Sequence, residues 1–180
     1  MFELMLMRHA KSDWSSYTAD IDRPLNDRGR RDAIRMGVYL NQKKLVPDRM
    51  VVSAAQRTRE TADLLLNNLS LAEKNIVIDK ELYLADRETL CDIIELYADA
   101  KQHADAKQRL RQRLLILAHN PGMDDLVSYL ASTRPSLSTS GKLMTTCAVA
   151  RFHMDSPKTI KKPGLGELKN LIRPKEIADI

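Results

Sequence analysis

Hydrophobic runs of strand length recur along the chain, and the stretches between them carry helical spacing. FELMLM (2–7), MVVS (50–53), NIVI (75–78), LLILA (114–118) and CAVARF (147–152) read as strands, with LKNLI (168–172) as a fainter sixth. Asn26 is placed to N-cap a helix running to about Lys44, with Ala33, Gly37 and Leu40 along one face and Pro47 beyond it. TRETADLLLNNL supplies a helix after the second strand, RETLCDIIELYADA one after the third and MDDLVSYLAS one after the fourth, which Arg134-Pro135 closes. Strands alternating with helices predict a three-layer α/β/α sandwich around a mostly parallel sheet, built as one domain over 1–180. SPKTIKKPGLG (156–166) reads as a mobile hairpin loop before the final strand.

Composition removes some classes of function. Hydrophobic residues make up 43% of the chain, as in ordinary globular proteins, and no apolar run is long enough to cross a bilayer. Glu3 interrupts the first run and no basic segment precedes it, so it does not read as a secretory leader. Cys91 and Cys147 lie in separate apolar segments and suggest buried thiols and a cytoplasmic location. The net charge of +5 raises the question of nucleic acid. However, the densest basic stretch, KQRLRQR (107–113), has no interleaved aromatic, and aromatics are only 4% of the chain, which argues against a base-stacking surface. That stretch reads instead as a solvated helix end leading into the next strand; a field that attracts a phosphorylated partner is the other reading of the excess, and the count of charges does not decide between these.

Chemistry enters at the strand ends. Open α/β sheets bind ligands beyond the carboxyl ends of their strands. Arg8 and His9 follow the first strand, His119 follows the fourth in LLILAHNPG, and VVSAAQR delivers Arg57 past a short loop to the start of a helix. Two arginines and two imidazoles on one sheet edge repel one another unless an anion sits among them, and a phosphoryl group is the natural match. Each residue also has a plainer reading: Arg57 as a helix start paired with Glu60, His119 as a turn residue.

Taken together, these stretches resemble the histidine phosphatase superfamily, with its phosphoglycerate-mutase-like fold. RHAKSDW is similar to the family's Arg-His-Gly-Glu-Ser-x-Trp start, with Ala10 in place of the glycine. SAAQRTRETADLL resembles its second arginine motif with Arg57 in the arginine position, LAHNPGM resembles the segment bearing the second histidine, and DRPLNDRGRRDA matches the stretch between the first two. The resemblance runs from Phe2 to Phe152, and GELKNLIRPKEI is similar to the tails of the compact SixA-type phosphohistidine phosphatases. It implies His9 as the nucleophile, forming a covalent phosphohistidine, with Arg8, Arg57 and His119 holding the phosphoryl oxygens. It implies no metal and no cofactor, and the remaining histidines, His103 and His153, show no ligand spacing. An imidazole attacks phosphorus only when neutral, and neighbouring arginines lower its pKa. Arginine forks suit equatorial phosphoryl oxygens better than lysines do. His119 is expected as a protonated donor while phosphate is bound. Ser15 is expected as a further phosphate contact, while Lys11 and Ser12 are equally well explained by a solvated loop.

Two departures bear on substrate. Many relatives carry a glutamate general acid after the third strand; in ELYLADRE that place falls to Leu84, leaving Glu81 and Asp86 as possible substitutes. Between Ile78 and Leu114 there is room for about one helix, not for a helical cap over a small-molecule site. Both favour a phosphohistidine phosphatase whose partner is a phosphorylated protein, a histidine phosphotransfer domain. The alternatives are a phosphatase of small phosphomonoesters using Asp86 or Glu81 as acid, and a phosphate-dependent binding module without turnover. Neither nucleic acid nor a membrane is expected as a partner.

Overall fold

Four consecutive side chains decide where the first strand goes. Leu4, Met5, Leu6 and Met7 are all fully buried, and a strand covered on both faces belongs in the middle of a sandwiched sheet. In the computed structural model, which describes residues 2–15, 17–98 and 112–177, β1 (Phe2–Arg8) lies between β4 (Gln112–Ala118), parallel to it, and β5 (Val149–Met154), antiparallel to it. With β2 (Arg49–Ser53), β3 (Ile76–Asp79) and β6 (Glu167–Ile172), the six strands run in the order β3-β2-β4-β1-β5-β6, and only β5 opposes the rest.

Alternation along the strands divides the core in two. Leu4 and Leu6 join Val51, Leu114 and Ile116 under α3 (Arg87–Ala98) and α4 (Gly122–Leu130). Met5 and Met7 join Met50, Val52, Leu115 and Leu117 under α1 (Asp27–Gln42) and α2 (Gln56–Leu66). The expected α/β/α sandwich is therefore the observed one. Asn26 caps α1 as expected, its side chain accepting the Gly29 N–H at 2.8 Å. All six strands lie where the hydrophobic runs place them, with ends shifted by up to two residues.

Two expectations change. Arg113, read as part of a solvated helix end, lies in β4, where its guanidinium is paired with Glu3 at 2.9 Å and donates to the carbonyl of Val46; residues 107–111 of that stretch and His103 lie outside the described residues. The 156–166 segment, expected to be a mobile loop, is pinned. Ile160 is buried, Gly164 and Gly166 donate their N–H groups to the carbonyls of Tyr129 and Leu130, and the Tyr129 hydroxyl donates to Lys161 O. Because Phe2 pairs with Met154, this segment sits at the opposite end of the sheet from Arg8 and does not border the strand-end site. Between β3 and β4 the described residues contain a short 3-10 turn and α3, with 99–111 outside them. No helix among the described residues is long and apolar enough to cross a membrane, and both cysteines are buried free thiols.

Candidate active site

The carboxyl ends of β1, β2 and β4 lie side by side, so each delivers its next residues to one edge of the sheet. The bend after β1 is held on two sides. Cys147, in a left-handed conformation (φ 63°), donates its N–H to the carbonyls of Arg8 and His9, and Ala10 donates its own N–H to Thr61 Oγ1 of α2 at 3.1 Å. Thr61 in turn donates to the carbonyl of Arg57, so the first turns of α2, which carry Arg57, are fastened to the end of β1. Gly29 makes a further close approach. A Cβ there would stand 2.1 Å from the Lys11 carbonyl oxygen, so only glycine lets α1 seat the loop that follows His9.

His9 is buried and its Nδ1 lies 2.7 Å from the carbonyl oxygen of Ala10. A carbonyl only accepts, so Nδ1 carries the proton and Nε2 of the neutral ring keeps its lone pair. Burial, followed by repulsion from His119, Arg57 and Arg8, drives the His9 pKa down to about 3, against an opposing contribution from the Ala10 hydrogen bond. The expected neutrality holds, but desolvation rather than the arginines is its main cause.

His119 stands with its ring centroid 5.1 Å from that of His9, and the Tyr83 ring meets it edge-on at 5.6 Å. Its Nε2 lies 2.8 Å from Ser53 Oγ at the end of β2. Burial, then Arg57, lowers its pKa to about 3 as well, with Asp20 opposing. The ring is thus neutral in this structure, whereas the protonated donor is expected with phosphate beside it. In the tautomer in which the Ser53 hydroxyl donates to Nε2, the proton sits on Nδ1, and His119 can donate a hydrogen bond without carrying charge. The turn after it is fixed by Gly122, where a Cβ would come within 2.1 Å of the Ala85 carbonyl oxygen.

Arg8 donates from Nη1 to the carbonyl of Met144 at 2.8 Å, and Arg57, 2% exposed, donates to the carbonyl and the carboxylate of Asp20. Glu60 does not pair with Arg57; it holds Arg30 and the N–H of Leu25. Arg8 Nε, Arg23 Nε, Arg57 Nε and His119 Nδ1 are buried without a hydrogen-bond partner among the described residues. Buried donors left unpaired are costly, and four such nitrogens on residues lining one cleft of about 300 Å³ suit an oxyanion.

All four principal candidates, Arg8, His9, Arg57 and His119, line that cleft. The secondary candidates fare differently. Ser15 is exposed and outside it, its N–H turned to Asp13 Oδ1, while Ser12 and Lys11 are on the wall. Glu81 and Asp86 are not among the lining residues: the Asp86 carboxylate accepts from the Thr89 N–H at the start of α3, and Glu81 points its N–H at Asp79 in a 3-10 turn. The lining carboxylate is Asp20, which sequence reasoning missed. Its Oδ2 accepts from Arg57 at 2.9 Å and from the Tyr83 hydroxyl at 2.7 Å, and Arg23 pairs with Oδ1. Burial alone would raise the Asp20 pKa, but the bonds from Tyr83 and Arg57 outweigh it and the net shift is downward. Leu84 does reach the rim, half-exposed and in a left-handed conformation (φ 53°). Among the described residues no group of three His, Cys, Asp or Glu side chains is gathered to hold a metal ion.

The profile of the histidine phosphatase superfamily (branch 1) matches residues 4–86. A 2,3-bisphosphoglycerate-dependent phosphoglycerate mutase of Mycobacterium leprae is 39% identical over 67 residues, which cover 36% of this chain. The match spans only 27% of the mutase's own length. The solved structure of the protein histidine phosphatase SixA complexed with tungstate aligns with a TM-score of 0.73 at 21% identity, covering 96% of this chain and 97% of that one. The SixA chain of Agrobacterium tumefaciens aligns with a TM-score of 0.72 at 22% identity and the same coverage. At this identity the shared property is the fold, which is the phosphoglycerate-mutase-like one.

Proposed function

We propose that this chain, whose residues 4–86 match the histidine phosphatase superfamily and whose cleft has this composition, is a metal-independent phosphohistidine phosphatase that removes phosphate from a phosphorylated protein histidine. The observation that carries it is the fixed tautomer of His9: Nδ1 is tied to the Ala10 carbonyl, leaving the Nε2 lone pair for phosphorus in a cleft shared with Arg8, Arg57 and His119. His9 Nε2 forms a bond to phosphorus as the substrate's P–N bond breaks. A phosphorylated imidazole that is protonated on its other nitrogen departs as a neutral ring and requires no acid. The arginine forks and His119 Nδ1–H stabilise the equatorial oxygens meanwhile. Water then attacks the covalent phosphohistidine, the ionised Asp20 accepts its proton, and inorganic phosphate leaves with His9 restored.

Substrate choice follows from what faces the cleft. Leu84 occupies the place of the usual acid, and Glu81 and Asp86 do not line the wall, so a poor alkoxide leaving group would depart without a ready proton donor. Trp14 is 70% exposed at the mouth, where a protein-borne phosphohistidine, such as that of a histidine phosphotransfer domain, can approach. In this proposal residues 1–180 act as one catalytic domain. The two buried free thiols favour a reducing compartment such as the cytoplasm.

Hydrolysis of small phosphomonoesters is the second reading, favoured by the 39% identity to a phosphoglycerate mutase over 67 residues. Turnover of a phosphohistidine protein beside a panel of sugar phosphates separates the two. Faster cleavage of the phosphohistidine supports the proposal; faster cleavage of the esters overturns it.

A further inference from the structure

A second depression of about 410 Å³ opens beside the catalytic cleft, and the two share Arg8, Lys11 and Thr146 on their common wall. From there it passes along the 138–146 loop to the short 3-10 turn Pro174–Glu176. We infer that this groove is a substrate subsite that receives an acidic segment of the phosphorylated protein while its phosphohistidine sits on His9. The inference rests on the proposed function and deepens it.

The charges of the groove divide into used and unused. Arg173 is spent within the fold: it is buried, paired with Glu176 at 3.0 Å, and donates to the carbonyls of Leu143 and Ser136. Arg28 is paired with Asp32. Lys11, Lys142 and Lys175 have no carboxylate within ion-pair distance of their ammonium groups among the described residues, although all three line the same groove. Hydroxyls accompany them, from Ser138, Thr139, Thr145 and Thr146. The chain's net charge of +5 therefore has a local expression one wall away from the nucleophile.

The type of cation identifies the type of ligand. A second phosphate is best held by planar arginine forks, as in the catalytic cleft, whereas the available groups here are lysines, which are point charges on flexible stems. Lysines and hydroxyls spread along a groove suit carboxylates spaced along a polypeptide, whose exact positions need not be fixed. Such exposed charges act mainly on encounter and on affinity, and their effect weakens with salt.

The test compares the full chain with Lys142→Glu/Lys175→Glu, two exposed positions outside the cleft, and with the milder Lys142→Gln/Lys175→Gln. Three phosphorylated probes are hydrolysed: phosphoimidazole, a phosphohistidine peptide flanked by glutamates, and the same peptide with glutamines. The wild type is expected to show a KM for the glutamate peptide about tenfold below that for the glutamine peptide, and both double variants to erase most of that difference. Phosphoimidazole turnover is expected to stay within about twofold, since the catalytic cleft is untouched. Equal KM values for the two peptides on the wild type overturn the inference, as does loss of phosphoimidazole turnover in parallel with the peptides. Binding of the unphosphorylated glutamate peptide, followed by fluorescence anisotropy, needs no turnover. If that binding is variant-sensitive while no probe is hydrolysed, the groove stands and the proposed reaction falls. If tripolyphosphate competes in a variant-sensitive manner while the peptides are not discriminated, the groove serves small polyanions and the inference falls.

Discussion

Asp20 and Arg57 are joined twice: one nitrogen of the guanidinium donates to the Asp20 backbone carbonyl, and the other to its carboxylate at 2.9 Å. The fork proposed to hold a phosphoryl group is thus already held by an internal anion, steadied by the Tyr83 hydroxyl. In the proposed reaction Asp20 therefore competes with the incoming oxyanion for Arg57 and, as an ionised carboxylate on the cleft wall, accepts the proton of the attacking water.

Removing that charge separates the two roles. Asp20→Asn is expected to tighten vanadate binding several-fold by releasing Arg57, and to slow hydrolysis of the phosphoenzyme by about a hundredfold. Vanadate titration and single-turnover decay of the labelled enzyme measure the two effects. Unchanged decay would contradict a proton-accepting role.

Ser53 tests how His119 is held. Its hydroxyl is the partner of His119 Nε2, and losing one hydrogen bond of this kind is worth about tenfold in rate when it orients a donor to the transition state. Ser53→Ala is expected to lower kcat with little change in KM, and Ser53→Thr to restore much of it. A change confined to KM would mean that the bond serves binding alone.

Both histidines have pKa values lowered to about 3, so neither ring should contribute an inflection near the ordinary histidine value, and a fall in activity toward neutral pH should follow only the substrate imidazole as it loses the proton that lets it leave. The sign for stability follows from proton counting. Between about 3 and about 6.5 the unfolded chain binds protons that the folded one refuses, so stability is lost as pH falls through that window, by up to about 1.4 kcal/mol per pH unit for each histidine. Urea midpoints of the wild type and of His119→Gln over pH 4–7 check this: the variant should show the shallower decline. Parallel curves would contradict burial of a neutral His119.

Much of this site was legible in the chain because strand ends are legible. Arg8, His9 and His119 directly follow hydrophobic runs, and parallel pairing of β1 with β4 brings those ends together whatever the loops do. Arg57 needed only a short loop and a helix start. Asp20 and Ser53 were not found, for different reasons. Asp20 sits in a loop with no periodicity to orient it, and its partners lie 37 and 63 residues away. Ser53 looked like the last residue of a strand, and only the adjacency of β2 and β4 turns its hydroxyl to His119. Ser15, Glu81 and Asp86 lie in local turns off the cleft wall: the N–H groups of Ser15 and Glu81 donate to aspartate side chains two residues back, and the Asp86 carboxylate accepts the Thr89 N–H. Sequence distance placed them near the cleft, but one or two residues of turn pointed them elsewhere.

Gly122 offers a check on how the His119 turn is fixed. A methyl group there meets the Ala85 carbonyl oxygen at 2.1 Å, a backbone contact that leaves little room to yield, with the Leu90 side chain at 3.2 Å. Gly122→Ala is expected to cost about 2–3 kcal/mol in urea unfolding and to reduce turnover by displacing His119. Wild-type stability and activity in this variant would contradict the close packing.

The central claim is that His9 itself carries the phosphoryl group. Rapid quench of the enzyme with a 32P-labelled phosphohistidine protein, followed by peptide mapping, reads it directly. The account predicts acid-labile, alkali-stable label on His9 of the wild type and none on His9→Ala. Label retained by His9→Ala, or turnover by the wild type with no enzyme-bound label at any time, would contradict it.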